Sequence, residues 1–98
     1  MVAAPAHAAD FTIYSKTWES SVYYNDPNNT LRLCDVVNGD GDGAHISTSL
    51  GHWTWVYNGC TWIQNIPDGV QMQVEVCDWV YMYSNRNRWD CRSITVTS

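Results

Sequence analysis

The sequence predicts an all-β fold: a small antiparallel β-sandwich of about six to seven short strands with two disulfides. Three observations carry this expectation. First, turn signals recur at Asp26-Pro27-Asn28-Asn29, Asn38 to Gly43, Asn58-Gly59, Pro67-Asp68-Gly69 and Ser84-Asn85, and the runs between them are rich in Val, Ile, Thr, Tyr and Trp. β-branched and aromatic side chains suit a pleated surface, and Gly, Pro, Asn and Asp supply turn geometry. Second, no segment has a helical apolar period. Third, the 98 residues include four cysteines, Cys34, Cys60, Cys77 and Cys91. A chain this short buries a modest core, and an even number of scattered cysteines reads as a disulfide framework. A four-thiolate zinc site is the alternative, but its ligands come in closely spaced pairs that are missing here. No metal and no cofactor are expected.

Taken in order, the chain opens with a processing signal. Ala6-His7-Ala8, preceded by Pro5, fits a small-residue signal-peptidase site, so residues 1–8 read as a residual signal-peptide tail and 9–98 as a single domain. An ordinary Ala-rich tail is the other reading. The expected location is secreted and extracellular. Phe11-Thr12-Ile13-Tyr14 is β-prone, and is either the first strand or an arm that pairs with a partner's edge.

Leu31–Val37 and Ala44–Leu50 are expected to pair as a hairpin around the Asn38–Gly43 turn. Leu31 then faces Leu50, Val37 faces Ala44, and Cys34 lies opposite Ser47. Cys34 is left to bond Cys60. His52 to Tyr57 alternates, placing Trp53, Trp55 and Tyr57 on one face, and Trp62 follows closely. The Asn58–Gly69 segment, braced at Cys60, is a candidate exposed loop.

The C-terminal hairpin is the clearest element. Val70, Met72, Val74, Val76, Asp78, Val80 and Met82 share one face from Val70 to Met82, the period of two that marks a strand with one buried side. If Cys77 bonds Cys91 directly across the hairpin, Val74 faces Ile94 and Met72 faces Val96 on the core side. Gln73 then faces Thr95, Glu75 faces Ser93 and Trp79 faces Trp89 on the other. A slip of one residue would invert every side chain. A short internal echo joins Leu33-Cys34-Asp35 to Val76-Cys77-Asp78, each with Cys outward and Asp on the apolar face.

Charge narrows the function. Five basic against ten acidic residues give a net charge of −5, which argues against nucleic-acid binding and against anionic membrane surfaces. No apolar run approaches the roughly 20 residues of a membrane span. Asp35 and Asp78, facing the core, could serve acid–base chemistry, but accepting hydrogen bonds from loop amides is the better reading. Asn38-Gly39-Asp40-Gly41-Asp42-Gly43 resembles the start of a calcium loop, yet position one is Asn and position twelve is Ser49, so a glycine-rich turn fits better. His45 and His52 have no nucleophile motif nearby, and no enzyme is expected.

Six Trp and six Tyr against one Phe favour rings with a polar handle, which suit interfaces. Trp53, Trp55, Tyr57 and Trp62 are therefore candidate partner-binding residues with Phe11, Ile13 and Tyr14 of the arm; a core face is the competing reading of the stripe. Arg86, Arg88 and Arg92 cluster near the last turn and are placed to stack on Trp79 or Trp89. Asn28-Asn29-Thr30 matches a glycosylation sequon.

Ala3 to Ala9, Val22-Tyr23-Tyr24, Leu31-Arg32-Leu33-Cys34-Asp35, the Gly41–Gly43 turn, Cys60, Val76-Cys77 and Cys91 together resemble small secreted four-cysteine proteins of actinobacteria. Some of these look like the adaptor subunit of the Streptomyces umbrella toxin particles. The resemblance implies an adaptor that joins protein partners by strand exchange within an antibacterial toxin complex. The reading is a secreted, non-catalytic binding or adaptor protein with a protein partner. Its alternatives are a proteinaceous hydrolase inhibitor and a carbohydrate-binding module that holds a sugar ligand on Trp53, Trp55 and Trp62.

Overall fold

A computed structural model of the protein describes residues 10–25, 28–37, 42–79 and 88–98. The signal-like tail, the centre of the Asn38–Gly43 turn, Val80, Met82, the Ser84-Asn85 turn and Arg86 lie outside the described residues. Eight strands follow in order: β1 (Phe11–Tyr14), β2 (Ser20–Asn25), β3 (Thr30–Asp35), β4 (Gly43–Thr48), β5 (Trp53–Val56), β6 (Cys60–Ile63), β7 (Gln71–Trp79) and β8 (Arg88–Thr97). They form two antiparallel sheets, β1-β2-β3-β6 and β5-β4-β7-β8. Among the described residues there is no helix.

The alternation in each strand decides what goes inside. Val22, Tyr24, Leu31 and Leu33 from the first sheet meet Ala44, Ile46, Met72, Val74 and Val76 from the second, with Ile66 closing one end. All are buried, and each larger aliphatic removed from water contributes about 1.5–3 kcal/mol. Phe11 and Ile13 pack against this core from the edge strand β1.

Both disulfides pair as expected, Cys34 with Cys60 and Cys77 with Cys91. Each staples an edge strand to its neighbour on the outer face of its sheet: Cys34 of β3 lies opposite Cys60 of β6, and Cys77 of β7 reaches Cys91 of β8. The expected β7–β8 register holds from Met72↔Val96 to Glu75↔Ser93. It then shifts at a bulge between Val76 and Asp78, so Trp79 pairs with Arg88 and not with Trp89. Asp90 sits in this irregularity at φ 52°, a left-handed conformation that Asp tolerates better than most residues. Ile94 remains 36% exposed although it pairs with buried Val74, because β8 is the edge of its sheet and the facing sheet covers it less.

The expected hairpin of Leu31–Val37 with Ala44–Leu50 does not form. β3 pairs with β2 and β6, whereas β4 pairs with β5 and β7. The connection crosses from one sheet to the other, so Leu31 and Ala44 meet through the core, and Leu50 is exposed. Inner faces of both sheets carry the same alternation, and alternation alone cannot say which sheet a strand joins.

Two buried aspartates close the fold. Asp78, at the inner face of β7, accepts hydrogen bonds from Ser15 Oγ at 2.8 Å, Thr17 Oγ1 at 2.5 Å and Ser20 Oγ at 2.8 Å. These hydroxyls belong to the β1–β2 connection and the start of β2, so the carboxylate ties one sheet to the other; the donors are hydroxyls where loop amides were expected. Asp35, ending β3, accepts the Asn58 amide at 3.0 Å, and its own N–H donates to the Gly59 carbonyl at 2.8 Å. Asn58 and Gly59 hold φ of 52° and 146°, which Asn and Gly allow. The open side of the sandwich is bridged by the Lys16 amide donating to the Asp90 carbonyl at 2.8 Å. Arg92 stacks there on Trp18, 5.5 Å from its ring centroid, and not on Trp79; the side chains of Arg88 and Trp89 lie outside the described residues.

Candidate functional site

The outer faces of the two sheets differ in kind. On the second sheet, β5 turns Thr54 and Val56 toward Ile46 and Ala44, which sends Trp53 and Trp55 outward beside Ser47 and His45. Their rings do not hang free. His45, fully buried, makes a T-shaped contact with Trp53 at 4.5 Å and stacks on Trp79 at 5.1 Å. Trp79 in turn stacks under Trp55 at 5.9 Å and meets Trp53 edge-on at 5.2 Å. Tyr57 extends the cluster from Trp55 at 5.8 Å. Such pairs contribute about 0.5–1.5 kcal/mol each beyond area burial.

The result is a second, external core. Trp79 is 2% exposed although it points away from the main core, while Trp53 and Trp55, the rings above it, keep 54% and 43% of their surface in solvent. Gly43 makes room at one end: a Cβ there would lie 2.5 Å from the Val56 carbonyl oxygen and 3.0 Å from the Tyr57 ring. Among the described residues the Trp79 indole N–H finds no acceptor.

The first sheet presents a polar face with two aromatic rings. Tyr23, Arg32 and Trp62 stand in one row across β2, β3 and β6. They line a shallow groove of about 470 Å³ with Asn25, Gln64 and Asn65. The Arg32 guanidinium lies over the Tyr23 ring, 5.3 Å from its centroid, and Trp62 is 57% exposed. The Tyr23 hydroxyl donates to Asp10 at 2.8 Å. That hydrogen bond, with some desolvation and the Asp10 charge, holds the phenol pKa above its ordinary 10.0, against a smaller opposing pull from Arg32.

The residues expected to form one binding surface are thus divided. Trp53, Trp55 and Tyr57 stay together on the second sheet; Trp62 lies on the opposite side of the molecule. Of the N-terminal arm, Phe11 and Ile13 face inward, and Tyr14 packs outside against Trp18 at 4.9 Å. The Asn58–Gly69 segment is no free loop: residues 60–63 form β6, and Ile66 is buried with its amide bonded to the Asn29 carbonyl. Tyr23, Arg32 and the flanking amides escape a reading of motifs because they come from β2, β3 and the segment that follows β6. One signal could have found them: once Cys34 pairs with Cys60 in antiparallel strands, Arg32 must lie opposite Trp62.

Chemistry at the remaining titratable groups is limited by placement. Asp78 gathers two serines, but His45 lies on the outer face of the same sheet. His52 is occupied in the β4–β5 turn, with Nδ1 2.7 Å from Thr48 Oγ1. Glu75, Cys77 and Cys91 come within 4.8 Å of one another, yet both sulfurs are committed to a disulfide, which leaves one carboxylate as a ligand. No protein-family model, characterised protein or solved structure matches the chain.

Proposed function

We propose that this protein is a secreted, non-catalytic binding module that docks a protein partner on the outer face of the β5-β4-β7-β8 sheet. One observation carries the reading: Trp53 and Trp55 are about half-exposed yet fixed in place by buried Trp79 and His45. Large rings held rigid before binding lose little entropy on association, and Trp and Tyr dominate interface hot spots. The two disulfides fit an oxidising compartment, which supports secretion. The histidine placements support a role without catalysis. The resemblance to adaptor subunits extends the proposal to a toxin complex. The inhibitor reading is less favoured, since residues 60–63 of Asn58–Gly69 are paired as β6 and the exposed turn that follows is anchored by buried Ile66.

The test is affinity capture with the tagged protein from its source, followed by the same capture with Trp53→Ala and Trp55→Ala. Each variant loses ring contacts and is expected to lower stability by about 1–3 kcal/mol. Folded variants, confirmed by near-ultraviolet circular dichroism, should lose about 2 kcal/mol or more of affinity for the captured partner. Undiminished capture by both folded variants rejects this face as the interface.

A further inference from the structure

We infer that the groove on the outer face of the other sheet, β1-β2-β3-β6, is a binding site for a neutral oligosaccharide. It is separate from the protein-docking face and stands whether or not that proposal holds.

The lining chemistry selects the ligand. Tyr23 and Trp62 flank Arg32 in a single cross-strand row, so their backbones are two strand spacings apart, about 9.5 Å. Trp62, 57% exposed, offers an open ring on which the axial C–H face of one sugar can pack, and Tyr23 with the Arg32 guanidinium stacked on it borders the position of the next sugar. Around them stand the amides of Asn25, Gln64 and Asn65. Each carries a donor and an acceptor, the complement of a sugar hydroxyl, which both donates and accepts. A groove of about 470 Å³ is in the range of small-ligand sites.

Charge argues for a neutral chain. Arg32 is the one cation among the lining residues, and its guanidinium is already stacked on Tyr23. The Asp10 carboxylate sits at the rim on the Tyr23 hydroxyl, where it would repel a phosphate, sulfate or uronate. A peptide ligand would want a pocket for an apolar side chain, and the lining offers amides in its place. The platform is also rigid: Cys34–Cys60 joins β3 to β6 two residues along from the Arg32–Trp62 pair, on the same face. Preorganisation of this kind lowers the entropic cost of holding a flexible chain.

The experiment uses the oxidised, intact protein labelled with ¹⁵N, titrated with cello-, manno-, galacto- and chito-hexasaccharides, and with a sulfated hexasaccharide as the anionic control. At least one neutral chain should give saturable amide shifts centred on Tyr23, Arg32, Trp62 and Gln64. Trp62→Ala should weaken that binding about tenfold, and Gln64→Ala measurably, at unchanged melting temperature. Three results would overturn the inference: no saturable shift with any neutral chain at millimolar concentration, binding only of the sulfated chain, or shifts confined to β5 around Trp53 and Trp55. Partner capture reads the other sheet, so the two proposals fail independently.

Discussion

Asp78→Ala removes a buried carboxylate that joins the two sheets. In the parent it accepts three hydroxyl hydrogen bonds, from Ser15, Thr17 and Ser20, and it has no solvent exposure. A hydrogen bond to a charged acceptor contributes about 1.5–3 kcal/mol, and a stranded buried hydroxyl costs about 1–3 kcal/mol. The losses do not simply add. Ser15 Oγ retains Thr17 Oγ1 at 3.1 Å, and Ser20 Oγ retains the Gly43 carbonyl at 3.4 Å. A net loss near 3 kcal/mol follows, which for a domain of this size lowers the melting temperature by about 12–24 °C. Asp78→Asn keeps one acceptor oxygen and should fall between parent and Ala. Thermal unfolding by circular dichroism without reductant, on samples with both disulfides intact, measures this directly. An Asp78→Ala protein melting within about 3 °C of the parent would refute the reasoning, since it would mean that the three hydroxyls find water or other partners at no cost.

Two further outcomes test the outer faces. Gly43→Ala places a Cβ against the Val56 carbonyl and the Tyr57 ring; overpacking of this kind should cost about 1–3 kcal/mol and alter the near-ultraviolet signal of the Trp55–Tyr57 pair, and a silent substitution would mean that β5 can retreat. Asp10→Asn removes the charge that accepts from Tyr23, so an absorbance titration of the phenol should show its pKa fall toward 10.0; an unchanged titration would show that the hydrogen bond does not persist in solution.

What the sequence made legible follows from where information is local. The β7–β8 register was readable because a period of two and a cysteine pair constrain the same hairpin: alternation turns Val74, Val76 and Asp78 inward, and a Cys77–Cys91 bond then sets Val74 opposite Ile94 and Met72 opposite Val96. The bulge was not readable, since it depends on the left-handed backbone of Asp90, an exposed residue with no flanking Gly. The β3–β4 connection was misread because Leu31, Leu33, Ala44 and Ile46 all point inward whether their strands share a sheet or face each other across the core. The same ambiguity grouped Trp62 with Trp53 and Trp55. They are near in sequence, but β5 and β6 belong to opposite sheets, so the aromatic band is in fact two surfaces. The core-or-interface question about Trp53 and Trp55 had no sequence answer either, because buried Trp79 and His45 make those rings partly both.

The two disulfides make the sandwich asymmetric in what it can lose. Each sheet has two edges, and in each the sulfur bridge fastens one of them: β6 to β3 and β8 to β7. The other edges, β1 and β5, are held by hydrogen bonds and packing alone. Local opening under oxidising conditions is therefore directed, and amides of β1 and β5 should exchange with solvent before those of β6 and β8. Reduction doubles the number of strands that can peel away, and each peeled strand bares a row of unpaired backbone groups ready to join another chain. The redox state of the surroundings thus determines how many sticky margins the domain exposes.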